Sequence, residues 1–115
     1  MYFMTYQDIF SAAKDIIGKK DFSSFPGHLA VQIDITGEGA GIFYAELKDG
    51  EMYVEPYDYN DRDCKLIASA DVLTKLVEGK LDAVAAFMTG KLKVEGSIDK
   101  ALEFQKLLKA PDKKA

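Results

Sequence analysis

Apolar residues return at helical spacing near the start of the chain, where Ile9, Phe10, Ala13, Ile16 and Ile17 share one face. Thr5, with Asp8 three positions later, forms a helix-starting cap, and the pattern predicts a helix ending near Gly18. The period then changes from helical to two. In "LAVQIDIT", Leu29, Val31, Ile33 and Ile35 point one way and Gln32, Asp34 and Thr36 the other, which predicts a strand with one wet face. "GEGAG" turns the chain into "IFYAEL", and "KDG" turns it again into "EMYVEP". Asp49-Gly50 is a hairpin signal because both residues tolerate positive φ, so three consecutive antiparallel strands are expected.

After the polar, acidic loop "YDYNDRD", the stretch "CKLIASA" reads as a fourth strand with Leu66 and Ala68 opposite Ile67. Ser69 or Asp71 caps a short helix stopped by Gly79, and Asp82 caps a shorter one stopped by Gly90. "KLKVEG" alternates as a fifth strand, and Ser97 caps a last helix from Ile98 to about Lys109, ended by Pro111. This order predicts an α+β fold: a five-stranded, mostly antiparallel sheet with helices on one face. No internal repeat or linker divides residues 1–115, so a single domain is expected.

Composition narrows the partners. Of the 115 residues, 48% are hydrophobic, a globular proportion, and no stretch approaches the roughly 18 apolar residues of a membrane span. The formal net charge of −4 argues against duplex nucleic acid, whose phosphates need a basic surface, and against strong docking on anionic lipid. Two local clusters run against that balance: Lys14, Lys19 and Lys20, and the end formed by Lys106, Lys109, Lys113 and Lys114, read as a frayed, solvated tail ahead of a membrane-touching patch. "MYFMTYQDIF" lacks the features of a secretory signal, and a single cysteine, Cys64, excludes an internal disulfide. Both favour a reducing, cytoplasmic setting.

Catalytic patterns fail one by one. "GEGAG" is followed by a strand, where a phosphate-binding glycine loop needs a helix. "DYNDRDC" begins like a calcium loop, but Arg62 stands where a ligand belongs and Asp63 where glycine is needed. Cys64 and His28 are the nucleophile and base to weigh as a pair, and nothing in their spacing brings them together. One cysteine and one histidine cannot assemble a typical zinc site, and no cofactor is expected.

The last third carries more apolar surface than one sheet contact requires. Ile98, Ala101, Leu102 and Leu108 form a stripe on the final helix, widened by Phe104 and Leu107. The short helix before it carries Val84, Phe87 and Met88 between two glycine hinges, so it is expected to rely on packing and to shift as a unit. Gln105 interrupts the apolar stripe, and its amide must find a partner in either a ligand or a backbone group. An ordinary core layer, an enclosed ligand, and an interaction or dimerisation surface all remain open from the pattern alone.

The segment "FMTGKLKVEGSIDKALEFQKLL", with "LVEGKLDAVAAFMTG" and "CKLIASADVLTKL" upstream, resembles the sterol carrier protein type 2 domain, over about residues 25–108. The resemblance implies a five-stranded sheet with helices enclosing an apolar tunnel. It also implies a non-catalytic protein that binds fatty acid, acyl-CoA, phospholipid or sterol and promotes transfer between membranes, with transient membrane contact. The chain ends in "PDKKA" without the Ser-Lys-Leu address of peroxisomal members. Carried over to these positions, the tunnel lining would be Val84, Phe87, Met88, Ile98, Leu102 and Gln105, over a sheet floor of Ile33, Phe43 and Ile67 chosen from strand alternation.

Overall fold

The computed structural model describes residues 5–25 and 27–113, so Lys114 of the basic chain end lies outside the described residues. Helix α1 (Tyr6–Gly18) is followed by β1 (His28–Thr36), β2 (Gly41–Lys48), β3 (Glu51–Glu55) and β4 (Cys64–Ser69). Then come α2 (Ala70–Val77), α3 (Ala83–Met88), β5 (Leu92–Gly96) and α4 (Ile98–Leu108). The strands form one sheet in the order β3-β2-β1-β4-β5. All neighbours are antiparallel except β1 and β4, which run parallel at the centre.

Each boundary has a local cause. The Thr5 hydroxyl accepts the Asp8 N–H while the Asp8 carboxylate accepts the Thr5 N–H, a reciprocal cap worth about 1 kcal/mol. Ser69, Asp82 and Ser97 cap α2, α3 and α4 one way, their side-chain oxygens accepting the N–H groups of Val72, Ala85 and Lys100. Between β2 and β3, Asp49 (φ 53°) and Gly50 (φ 78°) adopt the paired left-handed conformation of a type I′ hairpin turn.

The register stacks side chains in rows across the sheet. On the inner face, Phe43, Ile33, Leu66 and Val94 align, and beside them run Val54, Ala45, Val31 and Cys64. All four helices cover this face, with α1 against β3 and α2, α4 over β1 and β4, and α3 against β5 and α4. Burial of these apolar rows supplies the main stabilisation, at roughly 25 cal/mol per Å² removed from water. Aromatic contacts tie α1 into the layer: the Tyr6 ring stacks on Phe10 at 6.0 Å, and Phe10 meets Phe43 edge-on at 5.6 Å.

Three expectations need correction. The outer face of β1 is wet only toward its ends, for Ala30 and Gln32 are 0% and 3% exposed while Asp34 is half-buried and Thr36 exposed. The connection after β3 folds back over them. Tyr59 stacks on Tyr44 at 5.1 Å and donates to Glu46, its N–H donates to the Gln32 side-chain oxygen at 3.1 Å, and Asp63 accepts the Ala30 N–H at 2.8 Å. Gln32 also donates to Asp34 at 2.9 Å, so its buried amide is satisfied. Secondly, the chain end is not frayed as far as Lys113. The N–H of Asp21 donates to the Pro111 carbonyl at 2.8 Å, Lys113 donates to the Lys19 carbonyl at 2.6 Å, and the Lys20 ammonium reaches the Ala110 carbonyl at 3.1 Å.

The third correction concerns sheet phase. Because β4 enters beside Val31 with Cys64, its even-numbered residues face inward, and Ile67 lies on the outer face in a row with Asp34 and Lys93.

Candidate functional site

Between the inner face and the helices lies a cavity of about 160 Å³. Its floor is Ile33, Phe43 and Leu66 with Leu92 and Val94 of the edge strand. One wall comes from Leu73, Leu76 and Val77 of α2, which share a face at i, i+3 and i+4 spacing. The opposite wall is α4, through Ile98, Ala101, Leu102, Phe104, Gln105 and Leu108, and α3 closes the remaining side with Ala83, Val84 and Phe87. The mouth lies among Val84, Phe87, Ile98 and Leu102, which stay 42%, 44%, 53% and 37% exposed while the floor is buried.

Seven of the nine residues expected around an apolar space surround this one: Ile33, Phe43, Val84, Phe87, Ile98, Leu102 and Gln105. Ile67 does not, since it faces the other side of the sheet and Leu66 takes its place. Met88 does not either. Helix α3 stops there, Thr89 caps it, and Gly90 (φ 78°) turns the chain toward β5, leaving Met88 79% exposed. The α2 wall was missed because its apolar face looks like ordinary core packing. Its i, i+3, i+4 spacing beside a glycine-stopped end was the available signal.

Gln105 is the one polar side chain among the described lining residues. Its carbonyl oxygen accepts the backbone N–H of Ala83, so α4 holds the first turn of α3 directly. That N–H is one of the unpaired donors of a helix start, and Asp82 caps the neighbouring one at Ala85, 3.0 Å away. The orientation leaves the amide nitrogen of Gln105 as a donor without a hydrogen-bond partner among the described residues. The arrangement therefore removes hydrocarbon from water in bulk and offers very little directional chemistry.

Catalytic alternatives are separated by the sheet itself. Cys64 points inward beside Val31, whereas His28 lies on the outer face, where its Nε2 contacts Glu46 at 2.6 Å. Burial, with the nearby Asp63 charge adding to it, pushes the Cys64 thiol up to about 11, away from nucleophilic thiolate character. Among the described residues no group of three or more His, Cys, Asp or Glu side chains is arranged to hold a metal ion, and no helix is long and apolar enough to cross a membrane.

This geometry has relatives. The chain is 36% identical over 80 residues to the bovine hydroxysteroid dehydrogenase-like protein 2, covering 67% of the chain but 19% of that protein, so it spans about a fifth of its relative's length. A fatty acid-binding protein of Yarrowia lipolytica is 49% identical over 49 residues, which is 43% of the chain and 38% of that protein. The solved apo form of sterol carrier protein 2 from the same yeast superposes with a TM-score of 0.59 at 26% identity, covering 92% of this chain and 77% of that one. Residues 15–109 match the profile of the SCP-2 sterol transfer family, from the last turn of α1 to the C-cap of α4, and the chain belongs to that family.

Proposed function

We propose that this protein is a non-catalytic lipid carrier that takes a long acyl chain, as fatty acid, acyl-CoA or phospholipid, into the cavity between the sheet and α2, α3 and α4. The observation that carries the reading is an internal space whose described lining is apolar save for Gln105 and whose mouth is rimmed by exposed apolar residues. The names of the yeast fatty acid-binding protein and sterol carrier protein support the same ligand class. A free, buried cysteine suits a reducing, cytoplasmic compartment.

Magnitudes say how the ligand fits. Each methylene taken from water contributes ~0.8 kcal/mol, so a sixteen-carbon chain gains on the order of 12 kcal/mol before ordering and association costs of several kcal/mol. The cavity of about 160 Å³ resembles an engineered ~150 Å³ void that admits benzene and falls below the ~300 Å³ at which ligand pockets begin. A full chain therefore enters only as α3 moves outward. The glycines flanking this segment, Gly79 (φ 74°) and Gly90 (φ 78°), already hold backbone conformations closed to most residues, and six-residue α3 has little stability of its own. The residues assigned to the bound chain are Val84, Phe87, Ile98, Leu102, Gln105, Ile33 and Phe43, with Leu66 added.

Native mass spectrometry of freshly purified protein tests the proposal. Extra mass matching a fatty acid or phospholipid is expected, and it is expected to vanish in Phe87→Asp, whose half-exposed site tolerates the charge without unfolding. A bare dimer that Leu102→Asp dissolves would instead make the apolar rim an interaction module. Unchanged fatty-acid affinity in Phe87→Asp would sink the lining assignment.

A further inference from the structure

The eight exposed large apolar side chains among the described residues fall into two groups. Five rim or adjoin the cavity mouth. The other three, Ile42, Tyr53 and Tyr57, are 41%, 44% and 64% exposed. Ile42 and Tyr53 point outward from β2 and β3, on the side of the sheet that carries no helix, and Tyr57 follows β3 where the connection begins to fold back over that face. The register makes the surface between them a chequerboard: Tyr44 pairs with Glu55, Glu46 with Tyr53, and Lys48 with Glu51. An open groove of about 440 Å³ runs over Tyr44, Glu46, Lys48, Tyr53 and Glu55, with Asp49 at its hairpin end.

Charge on this half of the face is one-sided. Four carboxylates, Glu46, Asp49, Glu51 and Glu55, stand against two ammonium groups, Lys48 and Lys14, the latter reaching Glu55 at 3.9 Å from α1. The connection beyond Tyr57 adds Asp58 and Asp61 against Arg62. His28 and Tyr59 both contact Oε2 of Glu46, so its Oε1 has no hydrogen-bond partner among the described residues. Burial first, and then the charges of Glu55 and Glu46, push the Tyr44 hydroxyl above its ordinary value, as a negative potential does. The other half of the face is balanced, with Lys65 3.7 Å from Asp34 and Lys93 two positions from Glu95.

We propose that the outer face of β2 and β3 docks a cationic segment of a partner protein, whose arginine or lysine side chains sit between the tyrosine rings and the carboxylates. Guanidinium and ammonium groups are drawn to tyrosine faces and to carboxylates alike, and the chequerboard offers both at each step along the strands. Tyrosine is also among the residues that carry most of the binding energy at protein interfaces. An anionic lipid surface, or a second copy of the same face, would set like charges opposite one another. The cavity opens on the other side of the sheet, so docking here needs no cargo and leaves the mouth free.

The probe is a fluorescent peptide of alternating arginine and valine, titrated into the full chain at low ionic strength and followed by anisotropy. The unaltered protein is expected to bind it with an affinity that falls as salt rises. Tyr53→Ala and Glu55→Gln are each expected to weaken binding by about tenfold. Asp71→Asn removes the same charge as Glu55→Gln but from the first turn of α2, across the sheet, and is expected to leave the affinity unchanged. Absence of binding to the unaltered chain, or binding that survives Tyr53→Ala, would overturn the proposal. Equal losses in Glu55→Gln and Asp71→Asn would overturn it as well, by reducing the effect to net charge. So would a dimer, seen by analytical ultracentrifugation, that Tyr53→Ala dissolves, because the face would then belong to a second copy.

Discussion

Gln105 on the last helix accepts the N–H of Ala83 on the shortest one, so a single amide spans the join between the wall of the cavity and its movable side. Gln105→Leu fills the same volume but leaves that N–H unpaired, a loss of about 1–3 kcal/mol. The expected result is faster hydrogen exchange at the amides of residues 83–88 and faster release of a bound fluorescent fatty acid. Gln105→Glu keeps an acceptor at the same place and is expected to preserve the slow exchange. Equal exchange in both variants would show that the contact does not restrain α3.

Tyr6 and Gly41 make a second restraint, on the sheet floor. A β-carbon built at Gly41 would sit 2.2 Å from the Tyr6 ring, whose hydroxyl donates to the Ile42 carbonyl at 2.6 Å. Gly41→Ala therefore displaces the ring from its place against the start of β2, and a destabilisation of about 1–3 kcal/mol is expected in urea unfolding. In a Tyr6→Ala background the same substitution is expected to cost much less, and the non-additivity of the double-mutant cycle measures the contact.

Acid stability depends on Glu46. The hydrogen bond from His28 comes first, with a second from Tyr59, and together they hold this carboxyl below its ordinary value despite partial burial. A folded-state value lower than the unfolded one gives stability that is fully present above the unfolded value, and loses it as pH falls through the folded one. Urea midpoints recorded from about pH 7 down to about pH 3 are expected to fall less steeply for Glu46→Gln than for the unaltered protein. An identical slope would mean that His28 and Tyr59 give the carboxylate no net preference.

Cys64 reports on the integrity of the inner face. With its thiol pushed up to about 11 by burial and only 1% of the residue exposed, labelling by a thiol-specific disulfide reagent near neutral pH is expected to be at least about a hundredfold slower than in urea-unfolded chain. Rapid labelling of the native protein would reveal opening of the β1–β4 seam. Ligand that stabilises the closed state is expected to slow the reaction further.

Much of this architecture is legible in the amino-acid order because each element carries its own punctuation. Thr5, Ser69, Asp82 and Ser97 stand where helices begin, Gly79 and Gly90 just past where two of them end, and Asp49-Gly50 at the hairpin. Alternation in β1, β2 and β5 reads correctly as to which residues face the helices. It misleads in β4, where Cys64, Leu66, Ile67 and Ala68 give both faces apolar residues, so that only pairing with β1 chooses the phase. The burial of Gln32 is likewise invisible locally, since it depends on Tyr59 returning from 27 positions later in the chain. At the site, helical spacing brings Val84 and Phe87 to the mouth, whereas Met88, the last residue of α3, points to solvent just before the stop at Thr89 and Gly90.

The parallel pairing of β1 with β4 has a kinetic consequence. The β1–β2–β3 meander forms from neighbours in sequence, whereas β4 must return past that whole meander before Ile33 meets Leu66. Contacts of such long range tend to be made late and to slow folding. The hollow that Ile33 and Leu66 floor is then among the last features to assemble, and a molecule lodged in it would act as a brake on unravelling.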